Sequence, residues 1–332
     1  MSAFTDHLAD RGVTLEPLDQ AGRTATLEWD TEITGPVLGD MILVAIPDMH
    51  LSDGGAGDVF LGLSEDQLER FSRLLDALIS AKAAFPTTRV VQLGDLYDVW
   101  RAYPEYKDHP TSHYERIEDA YGPILRKLTV DLRARVCIGN HDAILGLYPP
   151  SWAQTPAGPT GRLAYGHLLG GGRVLAFHGH QEVGVGQAMA AQGGEGVVKV
   201  ATLAAGLWKA PVQMLQDELD LAAELSTDPE WSLGEMLARH WPFVDAPPGS
   251  EGFRSPAWCA RNGRDRLGTL ASALPGAAAL RLLVVGHTHC PGISMTEIGG
   301  RMVPLVDAGS WIQSKSQIVI AEEGRLTIYT VE

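Results

Sequence analysis

The sequence predicts an α/β fold, on three observations. From residue 41 onward, a short and nearly continuous apolar run followed by a cluster of Asp, His, Asn and Gly recurs five times. A segment between the first two runs carries apolar residues at helical spacing, and beyond residue 300 the chain alternates apolar and polar positions. Short apolar runs bounded by polar turn residues read as strands buried on both faces, and functional groups in such sheets gather at the strands' carboxyl ends. All five clusters would then face one crevice.

The elements follow in order. Residues 1–40 hold short alternating stretches, among them 24–29, bounded by Gly22 and Gly35-Pro36, which predicts an N-terminal β extension before a main domain over 41–332. The five runs are 41–47 before Asp48-Met49-His50, 90–93 before Gly94-Asp95, 136–138 before Gly139-Asn140-His141-Asp142, 174–177 before His178-Gly179-His180, and 282–285 before Gly286-His287-Thr288-His289. Arginine opens four of them, as Arg89, Arg135, Arg173 and Arg281. Residues 64–67 could cap a helix whose Leu68, Phe71, Leu74, Leu75 and Leu78 recur every three or four positions, and a second helix is expected over 113–128. Segments 302–306, 317–321 and 326–331 read as antiparallel strands closing a sheet.

Residues 181–275 break the rhythm over a length no ordinary loop reaches. Val200, Leu203, Leu207, Trp208, Met214 and Leu215 follow helical spacing there, and Trp231, Trp241, Phe243, Phe253 and Trp258 add aromatics. The expectation is a helical insert, packed on the main core or serving as a lid over a substrate pocket.

Composition bounds the function. With 332 residues and 45% hydrophobic content the chain can bury a large core, which excludes a disordered protein. Lys+Arg 26 against Asp+Glu 41 leaves a net charge of −15, which argues against nucleic acid as a partner because counterion release needs clustered cations. No long uncharged apolar stretch occurs, and the N-terminus carries acids where a secretion signal would carry bases, so a cytoplasmic location without a transmembrane segment is expected. Cys137, Cys259 and Cys290 make neither a disulfide framework nor a CxxC zinc site and read as buried thiols.

The clusters themselves imply a metal centre. His50, His141, His178, His180, His287 and His289, with Asp48, Asp95 and Asn140, form a nitrogen-and-oxygen ligand set without thiolate. Such a set suits Mn²⁺, Fe or Zn²⁺. Residues i and i+2 of an extended segment point to one side, so the Asp-x-His and His-x-His pairs can each reach one ion or two neighbouring ones. The donors exceed the needs of one tetrahedral ion, and two ions sharing a carboxylate account for them better.

In order, DxH, GDxxD, GNHD, a single His and GHxH resemble the calcineurin-like metallophosphoesterase superfamily, over residues 41 to about 312. The resemblance implies a four-layer α/β/β/α fold, a central β-sandwich flanked by helices, bearing the α-rich insert. Asp48, His50 and His289 resemble the ligands of one metal, Asn140, His178 and His287 those of the other, and Asp95 the bridging carboxylate. Two divalent ions are implied, with Mn²⁺ the first choice and Fe or Zn²⁺ open. A metal-bridging hydroxide would attack phosphorus in line. His141 resembles the catalytic histidine that protonates the departing oxygen, Asp142 could orient its ring, and Asp98 is a candidate hydrogen-bond acceptor for a ligand histidine.

The motif Gly94-Asp95-Leu96-Tyr97-Asp98-Val99-Trp100 resembles that of UDP-2,3-diacylglucosamine pyrophosphatase-like enzymes and departs from the GDxxDRG and GNHE of protein serine/threonine phosphatases. The expected substrate is a small phosphomonoester, phosphodiester or nucleotide-type pyrophosphate, or a large or lipid-bearing one if the insert serves it. Arg101 could grip a phosphate bidentately, and His180 is a candidate substrate contact where some relatives carry Asp. The alternatives are a metal-dependent nuclease, against which the net charge weighs, and a metal-bearing scaffold without turnover, against which the complete ligand set weighs.

Overall fold

Buried runs of Val, Leu, Ile and Ala pair into two mixed sheets. The computed structural model describes residues 2–20, 23–52, 60, 65–98, 110–139, 141–146, 149–156, 158–179, 264–274, 276–287, 289, 291–312 and 316–332. In chain order the strands of these sheets are β1 (Leu15–Pro17), β2 (Thr26–Glu28), β3 (Leu43–Ile46), β4 (Arg89–Gln92), β5 (Arg135–Cys137), β6 (Leu163–Ala164), β7 (Gly166–Leu169), β8 (Val174–Phe177), β9 (Leu282–Val285), β10 (Gly292–Ile298), β11 (Arg301–Asp307), β12 (Gln317–Glu322) and β13 (Arg325–Val331). The first sheet runs β1-β13-β12-β3-β4-β5-β6, with β2 also on β13, and the second runs β7-β8-β9-β11-β10. Neighbours β3 to β6 are parallel, as are β8, β9 and β11, so their carboxyl ends lie together within each sheet.

Alternation along the strands divides the core. In β3, Val44 and Ile46 join a cluster with Phe4, Leu8, Phe71, Leu74, Leu78 and Leu125, which belong to helices α1 (Ala3–Ala9), α2 (Glu65–Ala84) and α3 (Pro110–Arg126). Leu43 and Ala45, one residue out of phase, join Val91 and Cys137 of the first sheet and Val174, Ala176, Leu282 and Val284 of the second. In the second sheet Leu175, Phe177, Leu283 and Val285 join Leu267 and Ala271 of α4 (Arg264–Ser272). The two sheets therefore share one apolar core, and each meets helices through another. Removing a large side chain from these fully buried positions, as in Leu74→Ala, typically costs about 2–5 kcal/mol.

The helix expected over the Leu68–Leu78 spacing is present as α2, which buries Phe71, Leu74, Leu75 and Leu78. The second expected helix starts earlier, at Pro110, and is interrupted at Tyr121 (φ −116°, ψ 18°). Pro123 explains the break, because it lacks an N–H and its ring crowds the carbonyl four residues back. A π-helical turn, Lys127–Asp131, follows. The N-terminal forty residues depart from the all-strand expectation, since α1 opens them, capped by Ser2, whose Oγ accepts the Thr5 N–H at 3.2 Å. Of the three late strands, β12 and β13 are antiparallel as expected, but β11 lies in the second sheet, parallel to β9 and antiparallel to β10. The expected insert lies outside the described residues up to α4. Among the described residues no helix is long and apolar enough to cross a membrane.

One carboxylate fastens the segment leading into β3. Glu323 accepts the indole N–H of Trp29 at 3.1 Å and the backbone N–H groups of Val37 at 3.1 Å, Leu38 at 2.8 Å and Gly39. Partial burial works to raise its pKa, but these donors outweigh it and hold the carboxyl below the ordinary glutamate value. The ionised form is thus favoured by folding. Its contribution is full above the unfolded value of about 4.5 and is lost as pH falls through the lower folded value. Glu323→Ala should cost about 1–2 kcal/mol at neutral pH and less in acid, read from urea unfolding at two pH values.

Candidate metal centre

Five of the parallel strands lead directly into the acids and histidines of the sequence clusters. Asp48 and His50 follow β3, Asp95 follows β4, His141 and Asp142 follow β5, His178 follows β8, and His287 and His289 follow β9. Backbone bonds lash these ends together: the N–H groups of Met49 and His50 donate to Asp95 O at 3.1 and 2.8 Å, and Gly286 N–H donates to His178 O at 2.9 Å. His50, Asp95, His287 and His289 all adopt positive φ, between 47° and 73°. Backbone strain of this kind costs roughly 1–3 kcal/mol per residue and persists where surrounding structure demands it.

Each acid is aimed by one oxygen. Asp48 Oδ2 accepts the His287 N–H at 2.8 Å, and Asp95 Oδ1 accepts the His141 N–H at 2.8 Å. Asp95 Oδ2 is thereby turned between two rings, 3.2 Å from His178 Nε2 and 3.6 Å from His50 Nε2. Asp48 Oδ2 lies 3.1 Å from His289 Nε2, whose ring nitrogen is in turn 3.2 Å from His50 Nε2. Donor atoms of Asp48, His50 and His289 converge within 4.8 Å of one another, as do those of Asp95, His178 and His287, and those of His50, Asp95 and His141. These buried Asp and His groups could bind metal ions.

The donor chemistry fits a cation. His178 Nδ1 donates to Leu93 O at 3.0 Å, which turns the Nε2 position toward the Asp95 carboxylate. Two bases would meet there unless a cation stood between them. Without a metal the proton takes that part: burial opposes it, yet Asp95 and Asp48 push the His178 pKa up to about 10. Burial likewise raises Asp95, but His178 and His141 outweigh it and hold the carboxyl well below the usual range. Asp48 goes the other way, pushed up to about 7 chiefly by burial. Its Oδ1 is buried with no hydrogen-bond partner among the described residues, the condition of an acceptor made for a cation. Burial and the neighbouring His141 lower the His50 pKa, which keeps its ring in the neutral form that metal ligation requires.

Beneath these groups Asp98 spans two rings. Its Oδ2 accepts from His50 Nδ1 at 3.2 Å and its Oδ1 from His141 Nδ1 at 3.0 Å. Asp98 thus reaches His50, one of the histidines that could bind a metal, and also takes the ring-orienting contact expected of Asp142. Asp142 instead accepts backbone N–H groups, from Gly139 at 2.6 Å on Oδ1 and from Leu96 at 2.9 Å on Oδ2. The correction has a local cause. Asp142 caps the turn that carries it and the loop after β4, and burial with the nearby Asp95 charge pushes its pKa up to about 7.

The structure brings together Asp48, His50, Asp95, Asp98, His141, Asp142, His178, His287 and His289; Asn140, Arg101 and His180 lie outside the described residues. Sequence reasoning missed Gln92, whose Nε2 donates to Gly94 O at 2.6 Å and Pro47 O at 3.3 Å while its Oε1 accepts Gly94 N–H at 3.1 Å. It fastens the starts of two site loops. The available signal was a buried polar residue inside the apolar run Val90-Val91-Gln92-Leu93. Ser310, in the loop after β11, forms a parallel bridge with Asp48.

Close approach accounts for two of the motif glycines. A Cβ on Gly139 would stand 2.0 Å from Asp95 Oδ1, and one on Gly286 would stand 2.2 Å from Asp48 Oδ1. Gly286→Ala should therefore displace the Asp48 carboxylate, weakening metal binding about 10–100-fold, a loss of the size seen when supporting contacts of a metal site are disturbed. Calorimetric titration with Mn²⁺ checks this, and unchanged affinity would show that Asp48 is not a ligand.

No protein-family model and no curated protein matches the chain. The functional reading therefore rests on the motif order and on this geometry.

Proposed function

We propose that the chain is a dinuclear metal-dependent phosphoesterase of the calcineurin-like superfamily. The single observation that carries the reading is Asp95 Oδ2, placed between His178 Nε2 at 3.2 Å and His50 Nε2 at 3.6 Å, with a further carboxylate or imidazole donor set on each side. This position supports reading Asp95 as a carboxylate shared by two ions. On this reading the two sheets form the central β-sandwich of the family, which their shared core supports, and α1 to α3 and α4 form its outer layers.

Asp48, His50 and His289 would hold one ion, and His178 and His287, with Asn140, the other. Mn²⁺ suits the mixture of carboxylate, amide and imidazole donors. When bound, the ions would supply Lewis acidity toward a phosphoryl oxygen and toward water. The remaining steps belong to the chain. His141, buried and held through Nδ1 by Asp98, presents a ring of fixed orientation for passing a proton to the departing oxygen. Asp98, by gripping His50 as well, couples the geometry of that proton donor to a ligand of the metal pair. Arg101 and His180 are the proposed substrate contacts.

The Gly94–Trp100 motif favours a phosphodiester or pyrophosphate over a phosphoprotein. Initial rates on bis-p-nitrophenyl phosphate and p-nitrophenyl phosphate, with Mn²⁺ and with chelator, test the proposal. Mn²⁺-dependent hydrolysis with preference for the diester is expected. Activity that survives chelation would refute the metal-based reading, and monoester preference would move the substrate class to phosphatase substrates.

A further inference from the structure

We propose that the end of the molecule opposite the metal centre is a docking face for an anionic lipid bilayer surface. Strands β4, β5, β8 and β9 carry site residues beyond their carboxyl ends, and arginine stands at the start of each, as Arg89, Arg135, Arg173 and Arg281. A four-residue strand spans roughly 13 Å, so these side chains gather at the far end of the sheets. Arg133 lies on the connection into β5, and Arg301 opens β11, which is parallel to β9.

The guanidinium contacts are to carbonyls. Arg89 Nη1 donates to Pro86 O and Thr88 O, both at 3.0 Å, Arg281 Nη1 to Ala278 O at 3.0 Å and Leu280 O at 2.9 Å, and Arg301 Nη2 to Ala278 O at 2.7 Å. Arg135 Nη1 reaches Leu168 O at 3.3 Å, tying the first sheet to β7 of the second. Such bonds orient the side chains without neutralising them. Among the described residues none of these arginines has a carboxylate at ion-pair distance. At the same end, exposed Asp40 precedes β3, exposed Asp131 precedes Arg133, exposed Glu297 pairs with Met302, and Glu322 and exposed Glu28 pair with Arg325, and these acids offset part of the charge. Among the described residues the arginines outnumber the acids around the starts of β4, β5, β8, β9 and β11, in a chain whose net charge is −15.

Apolar side chains are exposed among the same arginines. Val130 is 52% exposed three residues before Arg133, Leu168 is 50% exposed beside Arg135, Leu274 is 40% exposed in the turn leading to Arg281, and Met302 is 60% exposed next to Arg301. Burying exposed aliphatic groups gains nothing on a nucleic-acid backbone, whose attraction is electrostatic. A bilayer interface takes both kinds at once, cations at the anionic headgroups and aliphatic tips at the acyl boundary. The pairing therefore favours lipid.

Flotation of the full chain with vesicles tests the assignment. Binding to phosphatidylcholine containing phosphatidylglycerol is expected, and none to phosphatidylcholine alone. Each arginine near an anionic surface contributes about five-fold in partitioning, so Arg89→Gln, Arg135→Gln and Arg281→Gln together should weaken binding about a hundred-fold. Leu168→Ser with Met302→Ser, which leaves those charges in place, should weaken it several-fold at low salt and guards against misfolding of the triple variant; melting temperatures check both. Absence of binding to the anionic vesicles, or binding that neither set changes, would overturn the proposal. So would tight binding of a DNA duplex that the Leu168 and Met302 changes leave untouched.

Discussion

Replacing Asp95 with asparagine should remove hydrolysis, by at least about a thousand-fold, and lower bound metal from two ions toward one. The substitution is nearly isosteric, so the amide oxygen can keep the bond from the His141 N–H that now reaches Oδ1 at 2.8 Å. What changes is Oδ2. An NH₂ group would stand where a negative oxygen now faces His178 Nε2 at 3.2 Å and His50 Nε2 at 3.6 Å. The shared charge between the two donor sets disappears, and the repulsion between the two proposed ions would lose its screen. The fold should persist, because Asp95 contributes through charge rather than apolar packing. Metal analysis by mass spectrometry and initial rates check this, and wild-type values for both would sink the two-ion assignment.

His141→Gln should behave differently. Loss of its imidazole removes the group proposed to carry a proton to the leaving oxygen, a contribution of about 10²–10⁴-fold in kcat. Bound metal should remain near the wild-type level, because Asp48, His50 and His289 and Asp95, His178 and His287 still form two donor sets without it. His141 also lies within reach of His50 and Asp95, so its donor atom could instead serve as a ligand. The variant separates the roles. Retained metal with lost turnover identifies a proton donor, parallel loss of both identifies a ligand, and unchanged kcat on every substrate removes His141 from the mechanism. An ester with a leaving group of low pKa, which needs no proton, should be hydrolysed with a smaller deficit.

Much of this site is legible in the sequence because its backbone logic repeats. A short, mainly apolar run bounded by turn residues, such as Val90 to Leu93, reads as a buried strand, and the polar residues after it then lie at the strand's end. Asp-x-His spacing brings His50 into one donor group with Asp48, whereas His287 and His289 fall in different groups, and His50, His287 and His289 stand at positive φ rather than in the extended backbone that the spacing assumes. Side-chain networks were harder to read. The choice between Asp98 and Asp142 for the His141 ring depends on how the loop after β4 folds over the turn after β5, a contact between segments more than forty residues apart. Gln92 was hidden for the same reason, since its partners lie on two loops. The α1 helix was missed although Ser2 and Thr5 form a reciprocal cap, because the flanking alternation read as strand. The position of β11 in the second sheet follows from topology, which local alternation does not encode.

Stoichiometric titration of metal-stripped protein with Mn²⁺, following diester hydrolysis and bound metal together, tests the central claim most directly. The geometry around Asp95 predicts two ions per chain and a rate that reaches its maximum only at the second equivalent. Saturation of the rate at one ion, or hydrolysis by the metal-free chain, would contradict it.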